Sequence, residues 1–445
     1  MARKRPARIG NPDLRQQKQI PAPPIEEIEK QIFSLLSPLS FKPLKSYEHK
    51  QEIEPELHKK FRDRILTLPV MMAIVVSLVY RQIPGLREVI RVLSQEGLLW
   101  VEPMLVSTQA LSKRLRTLPI ELFTEIFEQV MARISAQPKK QAVPENWQPV
   151  CEKFTAIWIA DGSTLEALRK KLKALQGQQK ILAGKIMMVV EAFHHRPVTT
   201  WYTNNSKAND KTWCDQLLER LPIGGLLIFD LGFFKFPWFD AFTASDKFFL
   251  TRLREKTSYK VIRCLTNAPF YRDEIIHMGE YRSNPCQHSV RLVSVLWGST
   301  WYYYLTNVLD PQVLSAQQVC ELYRRRWRVE DAFLLTKRLL GLAYIWVGDT
   351  NGVQIQIFAT WIFYAVLNQL CIDVAVALNQ PLDLISTEMV FRSLYHFSAA
   401  VLRGEASDVV SYLVERHKLF GLVKSRRQRH RQIDAYTQQI WASPP

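Results

Sequence analysis

Three acidic residues stand where metal-dependent chemistry could use them. Asp161 closes the apolar run FTAIWIAD, Asp230 closes GGLLIFD, and Glu330 lies in the cation-rich segment VCELYRRRWRVEDAFLLTKRLLGL. Carboxylates at the C-terminal ends of strands commonly face a functional crevice. An Asp after a strand is also an ordinary turn residue or helix cap. Around Glu330, a continuous helix counted from Tyr323 at about 100° per residue puts Arg326, Glu330 and Lys337 at about 300°, about 340° and about 320°. Leu322, Val329, Phe333 and Leu340 form an adjoining apolar stripe between about 240° and about 280°. Tyr323, Arg326, Glu330 and Lys337 then edge a buried face, where a carboxylate can ligate a metal and cations can hold phosphates. The same spacing suits a plain i, i+4 ion pair between Arg326 and Glu330. Three oxygen-donor carboxylates fit Mg²⁺, and two such ions across a phosphodiester could activate an attacking hydroxyl and steady the leaving oxygen.

The elements that must position these residues are legible in the patterning. FTAIWIAD (154–161), KIMMVVEAF and PVTTWYT read as three strands, with a tight HHR connection between the last two. KTWCDQLLERL reads as an amphipathic helix, GGLLIFD (224–230) as a fully buried strand and KFFLTRL (247–253) as a fifth strand. That order resembles an α/β ribonuclease-H-like mixed five-stranded sheet core. Residues 255–308, with RLVSVLW and WYYYLTN, read as an inserted β-rich subdomain ahead of a helix beginning near Ser315. Flanking this catalytic domain (146–345), a basic flexible arm covers 1–55, with a short helix through IEEIEKQIFSLL. A helical N-terminal domain follows over 56–145, the proline-bearing run 137–149 reads as a linker into the catalytic domain, and a helical C-terminal region with the basic tail KSRRQRHR covers 346–445. In the N-terminal helical domain, Arg114 and Arg116 of the SKRLR segment are candidate DNA contacts.

Composition narrows the partners. Lys and Arg number 59 against 42 Asp and Glu, a net charge of +17, which favours a polyanionic partner. Six scattered cysteines without a C-x-x-C pair suit reduced thiols in a cytosol. Cys264, His277, Cys286 and His288 are spaced too irregularly for a zinc site. The charged start MARKRPARIGNPDLRQQKQ lacks the apolar run of a signal peptide. LPVMMAIVVSLVY from Leu68 and TWIFYAVLNQLCIDVAVAL from Thr360 read as buried helices, the first too short for a span and the second interrupted by Asn368, Gln369 and Asp373. No membrane partner is expected.

Tyr323, Arg326, Glu330 and Lys337 fit Y-x2-R-x3-E-x6-K, which resembles the signature of the insertion sequence 4 family of DDE transposases. DGST at 161–164 and DLGF at 230–233 resemble that family's first and second Asp motifs, and the resemblance extends over roughly 105–370. It implies cut-and-paste transposition: nicking, hairpin formation, reopening and strand transfer. Asp161, Asp230 and Glu330 would bind two Mg²⁺ ions, with Mn²⁺ able to substitute. Tyr323, Arg326 and Lys337 would hold phosphates, and Arg252 and Arg254 at the end of the fifth strand are further phosphate contacts. Trp301 or Tyr302 would stack a flipped base. The partners implied are double-stranded transposon-end and target DNA, bound by a homodimer, in the bacterial cytoplasm at the nucleoid. A ribonuclease-H-like nuclease without strand transfer, or an inactive transposase-derived DNA-binding protein, are the alternatives.

Overall fold

A computed structural model of the chain describes residues 23–36, 52–53, 65–83, 85–136, 143–164, 184–280, 283–327, 329, 332–333, 336, 349–424 and 440–441. Two compact units emerge: residues 1–140, 165–183 and 333–423 form one, and residues 141–164, 184–332 and 424–445 the other.

The first unit is helical. Its axis is α10 (Thr350–Ala377), which packs against α1 (Glu26–Leu36), α2 (Leu68–Tyr80), α4 (Thr108–Thr117) and α5 (Ile120–Ala136); α3 (Leu86–Gln95) lies against α4. Asp349 caps α10 by accepting from the N–H groups of Asn351 and Gly352 at 3.0 and 3.2 Å, which satisfies two donors the first turn leaves open. Asn351 then donates through Nδ2 to the carbonyls of Leu115 and Leu118, both at 2.8 Å, so the cap also fastens α10 to the end of α4. Length and apolarity alone would let α10 cross a membrane, but 94% of its most apolar window is buried within the protein. It and α2 are the core helices that their composition suggests. The short helix expected near residue 30 is α1; residues 1–22 lie outside the described set, as does the basic tail from 425 to 431.

The second unit is built on one sheet of nine strands: β1 (Ile157–Thr164), β2 (Lys185–Glu191), β3 (Pro197–Thr203), β4 (Leu226–Ile228), β5 (Phe248–Arg252), β6 (Tyr259–Asn267), β7 (Tyr271–Met278), β8 (Val290–Trp297) and β9 (Thr300–Thr306). The strand order is β3-β2-β1-β4-β5-β9-β8-β7-β6. β1, β2 and β3 run antiparallel, while β1–β4 and β4–β5 are parallel pairs. The helices α7 (Cys214–Arg220) and α8 (Phe236–Ala244) make the crossovers that parallel neighbours require. Their apolar faces join Ala160, Phe229, Phe249 and Leu305 in one core, where Phe229, Trp238, Phe239, Phe242 and Phe249 meet with ring centroids 4.6–6.3 Å apart.

Three features differ from the sequence-based expectation. The strands of the 255–308 segment do not form a separate β subdomain: β9 pairs antiparallel with β5, so β6–β9 extend the same sheet. Part of the proline-bearing 137–149 run folds, because Pro149 falls in the first turn of α6 (Gln148–Lys153), where no backbone donor is needed, and Trp147 is buried with its ring 5.5 Å from that of Phe193. The helix that begins at Ser315 does not run unbroken. α9 (Ala316–Arg324) opens with a capping box of Ser315 and Gln318 and closes at Arg325–Arg326, where the Arg326 N–H bonds the carbonyl of Tyr323 at 3.0 Å, three residues back. Past this turn, Val329 and Phe333 of the expected apolar stripe are nevertheless buried, as is Leu322 before it.

Candidate active site

The site follows from strand register. β1 and β4 pair Ile157↔Leu226, Trp158↔Leu227 and Ile159↔Ile228, and β4 and β5 pair Leu226↔Phe248, Leu227↔Phe249 and Ile228↔Leu250. Carried two residues further, Asp161 lies beside Asp230 and Asp230 beside Arg252. Arg252 in turn pairs with Tyr304 of β9. Laterally paired residues project to the same face, and neighbouring strands lie roughly 4.8 Å apart. Asp161, Asp230, Arg252 and Tyr304 thus form one row across the sheet, at the C-terminal ends of its parallel strands. Residues one position earlier, Ala160, Phe229 and Thr251, face the opposite side and are buried.

Each acid is oriented by its own backbone. Asp161 Oδ1 accepts the Gly162 N–H at 2.8 Å, and Asp230 caps the short turn Leu231–Phe233 by accepting from the Gly232 N–H. The end of α9 supplies the cation. Arg326 Nη1 donates to Asp161 Oδ2 at 2.9 Å and is itself buried. Tyr323, buried at 8% exposure, packs its ring 5.4 Å from that of Tyr304. Burial pushes its hydroxyl up to about 12; the Arg326 guanidinium opposes that rise and the Asp230 charge adds to it, so the phenol meets neutral solution protonated. Sequence-predicted Asp161, Asp230, Tyr323, Arg326 and Arg252 are therefore brought together. Glu330 and Lys337 lie outside the described residues.

The other candidates separate. Tyr302 is two residues before Tyr304 and shares the row's face, with the Arg252 guanidinium 5.6 Å from its ring. Trp301 points to the opposite face, under the Arg272 guanidinium at 5.3 Å. Arg254 is exposed just beyond β5. In the helical unit, Arg114 is half-buried and donates through Nε to the Leu66 carbonyl at 2.8 Å, a structural tie, whereas Arg116 is exposed. Trp327, beside Arg326, is 58% exposed and so is not a core residue. Arg324 and Arg325 take anchors that sequence alone does not suggest: Arg324 lies 5.7 Å from the Trp297 ring, and Arg325 4.3 Å from that of Phe193.

Two carboxylates beside two guanidiniums suit a ligand that brings both hard cations and anionic oxygens. Mg²⁺ uses few protein carboxylates and fills its octahedron with water and phosphate oxygens, so Asp161 and Asp230 fit as donors. Among the described residues no cluster of three or more His, Cys, Asp or Glu forms, so a metal held here would need a donor beyond these two aspartates. Residues 152–365 match the family model of the transposase DDE domain. That segment, just under half of the chain, is thus similar to the transposase DDE domain. A putative transposase, y4zB, of Sinorhizobium fredii (strain NBRC 101917 / NGR234) is 26% identical over 184 residues, which is 39% of this chain and 49% of that protein. The match thus spans about half the length of that curated relative. Among solved structures, the piggyBac transposase synaptic complex with hairpin DNA aligns over 92% of this chain and 89% of its own, at 11% identity and a TM-score of 0.38. So low a score leaves the fold to be argued from the strands themselves.

Proposed function

We propose that this chain is a cut-and-paste transposase of the insertion sequence 4 type, with a ribonuclease-H-like core formed by β1–β5 and a metal pair held by Asp161, Asp230 and Glu330. The observation that carries the reading is the parallel register of β1, β4 and β5, which, extended two residues past its last pairs, brings Asp161 and Asp230 alongside each other with Arg252 next in line. Two Mg²⁺ ions, or Mn²⁺ in their place, would supply activation of the attacking hydroxyl and stabilisation of the leaving oxygen. Asp161 and Asp230, held by the amides of Gly162 and Gly232, need little reorganisation to act as oxygen donors. Arg326 and Arg252 offer guanidinium donors to the non-bridging oxygens of the scissile phosphate, and Tyr323 a protonated hydroxyl. Lys337 would add a further cation, and Arg254, exposed past β5, a contact along the flanking backbone. Tyr302, on the row's face, is the better placed of the two aromatics to stack a base flipped from a hairpin.

The substrates are the double-stranded ends of the element and its target DNA, in the bacterial cytoplasm at the nucleoid. Two ends joined in one reaction call for a homodimer on DNA. The net charge of +17 supports a polyanionic partner. The test is strand cleavage of the source element's end DNA with Mg²⁺, with EDTA, and with Asp161→Asn or Glu330→Gln. Metal-dependent nicking followed by a hairpin or joined product, lost in both variants with DNA binding kept, is the expected result. Binding by the folded wild-type protein without any cleavage would replace this reading with an inactive DNA-binding derivative.

A further inference from the structure

The β1–β4 register ends at Ile159↔Ile228, two residues short of both aspartates. What lies against the two segments beyond it is an ion pair. Lys185, the first residue of β2, meets Asp210 with Nζ 2.7 Å from Oδ1, the side chains being 12% and 22% exposed. Lys185 Nζ also donates to the Ala208 carbonyl at 3.0 Å and lies 6.0 Å from the centroid of the Trp213 ring. Asp210 opens the short turn Asp210–Trp213 that leads into α7, so it is held by both chain and charge.

The Asp210 carboxylate packs against the glycine of each motif. A Cβ on Gly162 would stand 2.1 Å from Asp210 Oδ1 and 3.1 Å from Lys185 Cε; a Cβ on Gly232 would stand 2.9 Å from Asp210 Oδ2 and 3.2 Å from Asp230 Oδ1. Neither glycine has a positive φ, so space rather than backbone freedom excludes a side chain. These are also the residues whose N–H groups orient Asp161 and Asp230. One carboxylate therefore touches both pieces of backbone that aim the two acids.

We propose that the Lys185–Asp210 ion pair is a positioning brace that sets the separation of Asp161 and Asp230 and thereby the affinity of the site for its divalent cations. The proposal rests on the reading of those aspartates as metal ligands. Asp210 stands outside the ligand set, its charge committed to Lys185. Groups that orient metal ligands from behind typically change metal affinity about 10–100-fold when removed.

The test is Mn²⁺ titration of the full chain without DNA, followed by electron paramagnetic resonance, alongside thermal melting of each variant. Asp210→Asn and Lys185→Met are each expected to raise the Mn²⁺ concentration for half-saturation by about tenfold or more at temperatures where the variants remain folded. A residue that only stabilised the fold would lower the melting temperature and leave that concentration alone. Gly162→Ala is expected to weaken Mn²⁺ binding as Asp210→Ala does, and the double variant to be no worse than Asp210→Ala, since deleting the carboxylate makes room for the methyl group. Multiplying losses in the double variant would overturn the brace. So would wild-type Mn²⁺ affinity in both Asp210→Asn and Lys185→Met while Asp161→Asn binds poorly. Wild-type affinity in Asp161→Asn would instead remove the ligand reading, and the brace with it.

Discussion

Replacing Arg291 with Ala should destabilise the sheet unit far more than an average substitution, for a reason that also bears on the active site. Arg291 is fully buried in β8 and grips Asp273 of β7 through Nε–Oδ1 at 2.7 Å and Nη2–Oδ2 at 2.6 Å. Its Nη1 donates to the carbonyls of Leu314 at 2.6 Å and Val308 at 3.4 Å. Every arm of the guanidinium is thus used, and two of its partners belong to the loop that leads into α9. Arg291→Ala leaves the Asp273 carboxylate buried without a counter-charge and the Leu314 carbonyl without its donor. Breaking a buried pair from one side costs about 3–5 kcal/mol. For a unit of this size that corresponds to a fall in melting temperature on the order of 10 °C. The double variant Arg291→Met/Asp273→Leu removes both charges and should recover most of the loss, because well-packed apolar replacements of buried pairs are often neutral. Urea denaturation followed by circular dichroism, arranged as a double-mutant cycle, measures each value. A loss under about 1 kcal/mol for Arg291→Ala would refute the reasoning, since even an ordinary charged hydrogen bond contributes more than that. A double variant no more stable than Arg291→Ala would refute it too.

Arg326→Ala should lower single-turnover cleavage about 10- to 100-fold, the equivalent of the about 1.5–3 kcal/mol in a charged hydrogen bond, with little change in end-DNA affinity measured in EDTA. Equal losses in rate and affinity would show that Arg326 serves binding alone. For Tyr323, whose hydroxyl is raised to about 12 by burial, the folded protein keeps its proton longer than the unfolded chain does. Its contribution to stability is therefore full below the ordinary tyrosine value near 10 and is lost as pH rises from there through about 12, a loss that Tyr323→Phe should remove from the alkaline limb of a pH-dependent unfolding series. Tyr302→Ala should reduce hairpin yield more than Trp301→Ala, because base stacking on an aromatic contributes about 1–3 kcal/mol and only Tyr302 shares the face of Asp161 and Asp230. The reverse order in a hairpin assay would assign the stacking role to the other face of β9.

Much of the site is legible in the chain because its parts end runs of simple composition. FTAIWIAD and GGLLIFD each stop being apolar at an aspartate, and both do become strands, β1 running through Asp161 and β4 ending two residues before Asp230. Other parts depend on partners far away in sequence. Whether Trp301 or Tyr302 faces the acids is a matter of one residue of register between β9 and β5, and no local pattern in WYYYLTN decides it. The break at Arg325–Arg326 has no Gly or Pro to announce it in YRRRWRVE. The contacts found there, Arg325 with Phe193 and Arg326 with Asp161, join residues more than a hundred positions apart. Asp210 gives no signal at all in NNSKANDK, since its neighbours Gly162 and Gly232 become neighbours only when β1 and β4 are laid side by side.

The end of the short helix α9 serves three places. Consecutive helical side chains leave the axis about 100° apart, so adjacent arginines reach different neighbours. Here Arg324 lies on Trp297 of β8, Arg325 on Phe193 after β2, and Arg326 on Asp161 of β1. The first two contacts immobilise the turn from opposite sides of the sheet's centre, with cation–aromatic contacts that need no counter-ion. They leave the third arginine to meet the carboxylate that a metal would also require. Asp161 is thereby oriented by Gly162 and charge-balanced by Arg326, two residues beyond the last parallel pair of β1 with β4. Precision of this kind, drawn from strands and a pinned helix end rather than from a loop, is what catalysis by positioned charge demands, because a donor already aimed costs no reorganisation when the substrate's charge develops.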